Sequence, residues 1–217
     1  LPLFQQACDG GISYGCGNLA DILEGGEGVP ADLPVARASY GRGCQLGSAW
    51  SCNELGTMLD KGVGGAEDFA GAFKAFVRGC DGDNALSCTN VGVMLEFGRG
   101  SVKDVPKAEG FYRRACDAGS GTGCARLGSY VYAGKGGSRQ RPKEALALFE
   151  RGCSEVSGKS AWACNEVAVM LDHGDTVPEN SARARELFTT ACADGYALGC
   201  TNAGRLFLRG RGGEVDN

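Results

Sequence analysis

Apolar residues recur along this chain at helical spacing, in short runs separated by glycines. Between Ser87 and Cys116, the residues Cys88, Val91, Gly92 and Leu95 fall at i, i+3, i+4 and i+7. That spacing predicts one face of an α-helix. Gly98 and Gly100 end it, and Asp104 is placed to cap a second helix with Pro106 in its first turn. Ala108, Tyr112 and Ala115 carry the helical spacing on to Cys116, glycines at 119 and 121 stop it, and Cys124 starts the next helix. The unit reads as helix, loop, helix.

The same residue types return in every unit. Eight positions before the first cysteine of a unit stand Ala36, Ala72, Ala108, Ala145 and Ala184. Four positions before it stand Phe4, Tyr40, Phe76, Tyr112, Phe149 and Phe188, an aromatic each time. A small residue in one row and a ring in the next let helices approach closely while the gap between layers is filled. Met58, Met94 and Met170, six positions after the second cysteine, read as core filler.

The first cysteines lie at 8, 44, 80, 116, 153 and 192, a period of 36 with small insertions in the last two units. A fixed period in this range marks a repeat architecture. We therefore expect an all-α chain organised as one solenoid over residues 1–217. It has a half-repeat at 1–13, repeats at about 14–49, 50–85, 86–121, 122–161 and 162–197, and a half-repeat at 198–217. Solenoids carry polar capping helices. This sequence opens on a second helix and stops inside a loop, so the expectation is a longer natural chain or ends closed by a partner.

Cysteine is the strong compositional signal. All twelve fall in pairs: Cys8 with Cys16, Cys44 with Cys52, Cys80 with Cys88, Cys116 with Cys124, Cys192 with Cys200, and the longer-spaced Cys153 with Cys164. Zinc sites want cysteines two to four residues apart or joined by histidines, and His173 is the only histidine. Six local disulfides fit better, which puts the folded chain in the periplasm, outside the cell, or in an oxidising lumen or intermembrane space. Each such clamp is worth about 2.5 kcal/mol in the chain-entropy model. No metal and no cofactor are expected. The net charge of −4 offers no nucleic-acid footprint, and no apolar run reaches the length of a membrane span.

Several motifs invite sharper readings. The Gly-x-Gly loops, such as Gly62-Val63-Gly64 and Gly98-Arg99-Gly100, recur without a preceding strand, so helix C-capping explains them better than phosphate binding. Gly11-Ile12-Ser13-Tyr14-Gly15 matches a nucleophile-elbow pattern but lies between two paired cysteines, far in sequence from His173. No Ser-x-x-Lys is present for a serine β-lactamase. No catalytic residue is assigned, and the chain is expected not to be an enzyme. Trp50 and Trp162 are each placed to cover a disulfide or to anchor a partner. The linker 154–160 reads as an insertion, neutral or outward-bulging. His173 fits a helix end.

The units Lys107-Ala108, Tyr112, Ala115-Cys116, Gly123-Cys124-Ala125-Arg126-Leu127-Gly128 and Gly98-Arg99-Gly100 resemble Sel1-like repeats. The paired cysteines resemble the disulfide-bridged branch, the Helicobacter cysteine-rich proteins. Leu127-Gly128-Ser129-Tyr130, Gly134-Lys135-Gly136-Gly137, the long-spaced Cys153 to Cys164 and Ala191-Cys192-Ala193-Asp194-Gly195-Tyr196 are also similar to the cytochrome c oxidase assembly factors of the mitochondrial intermembrane space. The resemblance implies an α/α solenoid of tetratricopeptide-like helix pairs that binds protein or peptide partners. Haem-linked assembly, and β-lactam or peptidoglycan binding, are the alternatives it brings. No Cys-x-x-Cys-His haem motif occurs.

By that resemblance the first helix of each pair lines the concave side. With positions 0, 3, 4 and 7 from the second cysteine in the core, positions 1, 5 and 8 are expected to point outward. The candidate partner-binding residues are Asp21, Glu24, Asn53, Asp60, Glu96, Tyr132 and Asn165 on this face, with Asn18, Asn90 and Asn202, at position 2, adding amide contacts to a peptide backbone. Asp21, Glu24, Asp60 and Glu96 would make its N-terminal half acidic and suited to a basic peptide.

Overall fold

The computed structural model describes residues 1–137, 139–154, 159–174 and 177–213. Among them the chain forms twelve α-helices and a 3-10 turn at Lys135–Gly137, with no strand. The helices are α1 (Pro2–Asp9), α2 (Ser13–Gly25), α3 (Leu33–Gln45), α4 (Ala49–Lys61), α5 (Phe69–Asp81), α6 (Ala85–Phe97), α7 (Val105–Asp117), α8 (Gly121–Ala133), α9 (Pro142–Cys153), α10 (Ala161–His173), α11 (Ser181–Ala193) and α12 (Ala197–Leu208). The even-numbered helices are the first helices of the pairs. Each starts three residues before its cysteine rather than at it.

Side-chain caps fix where most helices begin. In the second helices, Val35, Gly71, Lys107 and Arg183 N–H groups donate to Asp32, Asp68, Asp104 and Asn180 at 2.8–3.1 Å. In the first helices, Ser51, Ser87, Gly123 and Ala163 N–H groups donate to Ser48, Asn84, Ser120 and Ser160 at 2.8–3.4 Å. These bonds satisfy donors that the helix itself leaves open. At the other end Gly26, Gly62, Gly98, Gly134 and Gly174 take left-handed φ values of 62–73°, as C-capping requires.

The Gly-x-Gly loops also carry a packing duty. The second glycine, Gly100, lies against the Phe69 carbonyl at the start of α5, where an added Cβ would collide with backbone. Gly212 meets the Ser181 carbonyl in the same way.

The chain divides into two compact units, Leu1–Phe111 and Tyr112–Asn217, with the division inside α7. In the first, Cys8, Cys16, Leu19, Ala20, Leu23, Ala36, Tyr40 and Met58 form a buried cluster, with Phe4, Trp50 and Leu55 packed against it. In the second, Ala168, Ala184, Phe188, Ala203 and Leu206 do the same. The alanine row is fully buried, and every ring of the aromatic row is buried except the half-buried Phe4. Arginines stitch successive second helices together. Arg42 donates to Asp9 O and Oδ1 at 3.2 and 2.7 Å, and Arg151 to Cys116 O and Asp117 Oδ1 at 2.8 and 3.0 Å.

Candidate partner-binding face

Every pair of helices carries its staple. Cys8–Cys16, Cys44–Cys52, Cys80–Cys88, Cys116–Cys124, Cys153–Cys164 and Cys192–Cys200 are bonded, with Cα atoms 4.4–4.7 Å apart, and no cysteine is free. Each bridge joins the last turn of one helix to the first turn of the next. Disulfides form and persist in oxidising surroundings, outside the cytosol. The middle of the long linker, 155–158, lies outside the described residues.

In the first unit the candidate face runs over α2, α4 and α6. Asn18 is half-buried, and Asp21 and Glu24 are exposed. Glu24 Oε2 accepts from the Tyr40 hydroxyl at 3.2 Å. Burial above all, and then the Glu24 charge, push the Tyr40 phenol well above its ordinary range, so it stays a donor.

The face is not uniformly outward. Asn53 is 6% exposed and sits between α4 and α6. Its Nδ2 donates to Glu54 Oε1 at 3.0 Å, while its Oδ1 accepts from Ser87 Oγ at 3.2 Å and Asn90 Nδ2 at 3.3 Å. Glu96 is buried as well, at 8% exposure. Asp60 pairs with Arg99 at 2.7 Å, and the Arg99 guanidinium lies 4.7 Å over the Phe69 ring. Thr57, Asp60, Lys61, Asn90, Val93 and Arg99 line a cleft of about 290 Å³, with Phe76 and Met94 contributing apolar wall.

In the second unit Tyr132 is exposed on α8, and Asn165 is 3% exposed between α10 and α12. Asn165 Nδ2 donates to Glu166 Oε1 at 3.3 Å, and its Oδ1 accepts from Asn202 Nδ2 at 3.0 Å. Asp172 is buried, 2.9 Å from Arg211 and 3.6 Å from Arg205. The hydrogen bond from Arg211, with a second from Ser181, holds the Glu179 carboxyl below its ordinary range.

The outward assignment of positions 1 and 8 therefore needs correcting. Asn53 and Asn165 are buried because α4 and α10 each touch the next first helix, α6 and α12, as well as their own partner helix, and Glu96 is buried on α6. Asp60 stays half-exposed but is neutralised by Arg99, so the acidic character expected of this face is smaller than its carboxylate count suggests. Asn18, Asp21, Glu24, Asn90, Tyr132 and Asn202 keep solvent-facing or half-buried positions. Glu54 and Glu166, which orient the buried asparagines, were missed, because an acid at position 2 looks like ordinary helix surface.

Both tryptophans are half-buried and make packing contacts within the chain. Trp50 meets Tyr40 edge-on at 5.7 Å and lies over Gly17, where a Cβ would collide with its ring. Trp162 donates to Glu166 Oε1 at 3.0 Å and supports Arg126, 5.2 Å above its ring. Ser13 opens α2 in the first unit, whereas His173 closes α10 in the second. Among the described residues, no cluster of three or more His, Cys, Asp or Glu could hold a metal ion. No helix of the described residues is long and apolar enough to cross a membrane.

The Sel1 repeat model matches residues 13–48, 85–120, 122–155 and 163–196, more than half of the chain. The chain belongs to the Sel1 repeat family. A Sel1 repeat protein from Oxalobacter formigenes superposes with a TM-score of 0.85 at 21% identity, covering 94% of this chain and 81% of that one. The c5321 protective antigen of uropathogenic Escherichia coli, which displays the SLR fold, gives 0.64 at 21% identity, covering 98% and 52%. These likenesses establish the fold. A 71-residue stretch is 32% identical to cytochrome c oxidase assembly factor 7 of Danio rerio, 31% of each chain. A 74-residue stretch is 31% identical to the same factor of Homo sapiens, 33% of this chain and 32% of that one. The match thus spans about a third of these curated relatives.

Proposed function

We propose that this Sel1 repeat chain is a non-catalytic scaffold that binds an extended segment of a partner protein along its first helices. The cleft between α4 and α6 carries the reading. Asn90 spends one N–H on Asn53, and its other N–H and its Oδ1 have no partner among the described residues. That pair of groups matches the carbonyl and N–H of one peptide unit. Thr57, Val93 and the stems of Lys61 and Arg99 supply the surrounding contact.

Charge sets a direction on the face. Asp21 and Glu24 on α2 are exposed acids, whereas Lys61 and Arg99 flank the α4–α6 cleft. A basic side chain of the partner would lie beside α2. Asn18, Tyr132 and Asn202 extend the proposed contact residues, and Asn53, Asp60, Glu96 and Asn165 support them from beneath or by pairing. The test is selection of linear peptides against the oxidised chain. Asn90→Ala should weaken a selected peptide at least tenfold, and Asp21→Lys should weaken basic ones. Arg37→Ala, on a second helix, should leave binding unchanged. Peptides indifferent to Asn90 and Asp21 would refute the assignment.

A second reading, favoured by the local identity to cytochrome c oxidase assembly factor 7, is that the partner is a respiratory-complex subunit in the mitochondrial intermembrane space. The periplasm or the cell exterior is the corresponding setting for the scaffold reading. Loss of cytochrome c oxidase activity on deleting the protein from its own source would support the assembly role, and unaltered activity would remove it.

A further inference from the structure

The polar arrangement in the α4–α6 cleft occurs twice. Ala49-Trp50-Ser51-Cys52-Asn53-Glu54 returns as Ala161-Trp162-Ala163-Cys164-Asn165-Glu166, Cys88-Thr89-Asn90 as Cys200-Thr201-Asn202, and Gly98-Arg99-Gly100 as Gly210-Arg211-Gly212. Neighbouring first helices lack the couple. At the same positions α2 has Gly17-Asn18 and α8 has Ala125-Arg126. The 36-residue period alone therefore does not produce it.

The bonding repeats with the sequence. Glu54 holds the Asn53 amide and Glu166 the Asn165 amide, at 3.0 and 3.3 Å. Because the carboxylate can only accept, each buried amide must turn its Nδ2 toward the acid and its Oδ1 toward the next helix. That Oδ1 then accepts from Asn90 at 3.3 Å in the first unit and from Asn202 at 3.0 Å in the second. Asn90 and Asn202 are left in one fixed orientation, each with a free N–H and a free Oδ1 among the described residues. Below each pair an aspartate meets an arginine from the following loop, Asp60 with Arg99 at 2.7 Å and Asp172 with Arg211 at 2.9 Å. Preorganised amides of this kind lose little freedom on binding.

We infer that the chain holds two equivalent docking sites, one in each compact unit, centred on Asn90 and Asn202, and takes two copies of the same short extended peptide segment. This rests on the reading of the first-helix face as a peptide-binding surface. The partner is then a protein that carries the segment twice, or two molecules of one that carries it once.

The test uses the oxidised full chain and a synthetic linear peptide selected against it from a random display library, titrated by calorimetry. Two peptides per chain are expected. Asn90→Ala and Asn202→Ala should each lower the stoichiometry to one, and the double variant should bind at least tenfold more weakly. Unchanged melting and intact mass guard against misfolding. If either alanine variant melts early, introducing an acid at the exposed rim positions, Lys61→Glu and His173→Glu, replaces it. One peptide per chain, lost through a single asparagine, overturns the two-site inference and leaves the peptide-binding reading standing. Binding insensitive to both asparagines and both rim positions, or a library that yields no binder, overturns the reading itself.

Discussion

Gly123 packs against Ala115 across the Cys116–Cys124 bridge so closely that a Cβ on Gly123 would stand 2.6 Å from the Ala115 Cβ. These residues immediately precede the two bonded cysteines. Every unit solves the same contact with one glycine. Gly15 and Gly199 face Ala7 and Ala191 in the same sense, whereas Gly43, Gly79 and Gly152 reverse it against Ser51, Ser87 and Ala163. The helices joined by a bridge cross where there is room for one side chain but not two.

Gly123→Ala should therefore destabilise the fold by about 1–3 kcal/mol, the ordinary cost of overpacking. Moving the glycine to the other helix, Ala115→Gly with Gly123→Ala, should recover most of that loss, because it recreates the arrangement found at Gly43 and Ser51. Urea unfolding of the two single variants and the double variant reads the coupling directly. Strictly additive effects would show that the two positions do not share one contact.

The helical face of Cys88, Val91, Gly92 and Leu95, the alanine row and the aromatic row were legible because each is apolar and recurs at a fixed distance from a cysteine. Burial of Asn53, Glu96 and Asn165 was not legible. Hydropathy reads burial against apolar neighbours, whereas Asn53 and Asn165 are buried against polar groups of the next first helix, where hydrogen bonds offset their desolvation. The candidate face thus mixes residues buried between first helices with residues that face solvent. The ion pairing of Asp60 depends on an arginine 39 positions later, beyond the reach of any local pattern.

Arg211 is the main counter-charge for Asp172, whose side chain is 4% exposed. Arg211→Ala should cost about 3 kcal/mol by leaving a buried carboxylate poorly paired, moderated by Arg205 at 3.6 Å. Adding Asp172→Asn should restore part of the loss, since the amide carries no charge to compensate. The check is chemical denaturation of the single and double variants, and equal stability of Arg211→Ala and wild type would refute the pairing.

Gly100 combines a φ of 65° with the backbone contact to Phe69. Gly100→Ala should lower stability by at least 2 kcal/mol, since both strain and collision act against it. Gly110, which meets no atom within 4 Å of an added Cβ, is the control. Gly110→Ala lies in a helix and should stabilise by up to about 1 kcal/mol. Comparable melting of the two variants would contradict the packing role of the loop.

The six bridges differ in how far a reductant can reach them. Cys200 is exposed and Cys192 half-buried, whereas Cys116 and Cys124 are fully buried. Brief phosphine treatment under native conditions, followed by alkylation and peptide mapping, should label Cys192 and Cys200 first. Complete reduction should add twelve hydrogens to the intact mass, two for each of the six bridges, and weaken the fold by about 2.5 kcal/mol per bridge. First labelling at Cys116 and Cys124 would contradict the burial order.

Acid should loosen the loop that Glu179 ties to Arg211 at 2.6 Å. The bond from Arg211, the bond from Ser181 and the arginine charge lower the Glu179 pKa from its ordinary 4.5. A carboxyl with a depressed folded-state pKa contributes its stability above the unfolded value and loses it as pH falls through the folded one. Melting temperature should therefore drop on going from pH 6 to pH 3, with the Glu179 share of the loss setting in below about pH 4.5. Glu179→Gln cannot titrate there, so it should start lower at pH 6 and fall less steeply. Asp9, held low by Gln5 and then Arg42, predicts the same behaviour for the first unit, with Asp9→Asn as its test. Parallel acid profiles for wild type and both amide variants would show that these contacts add nothing to the folded state.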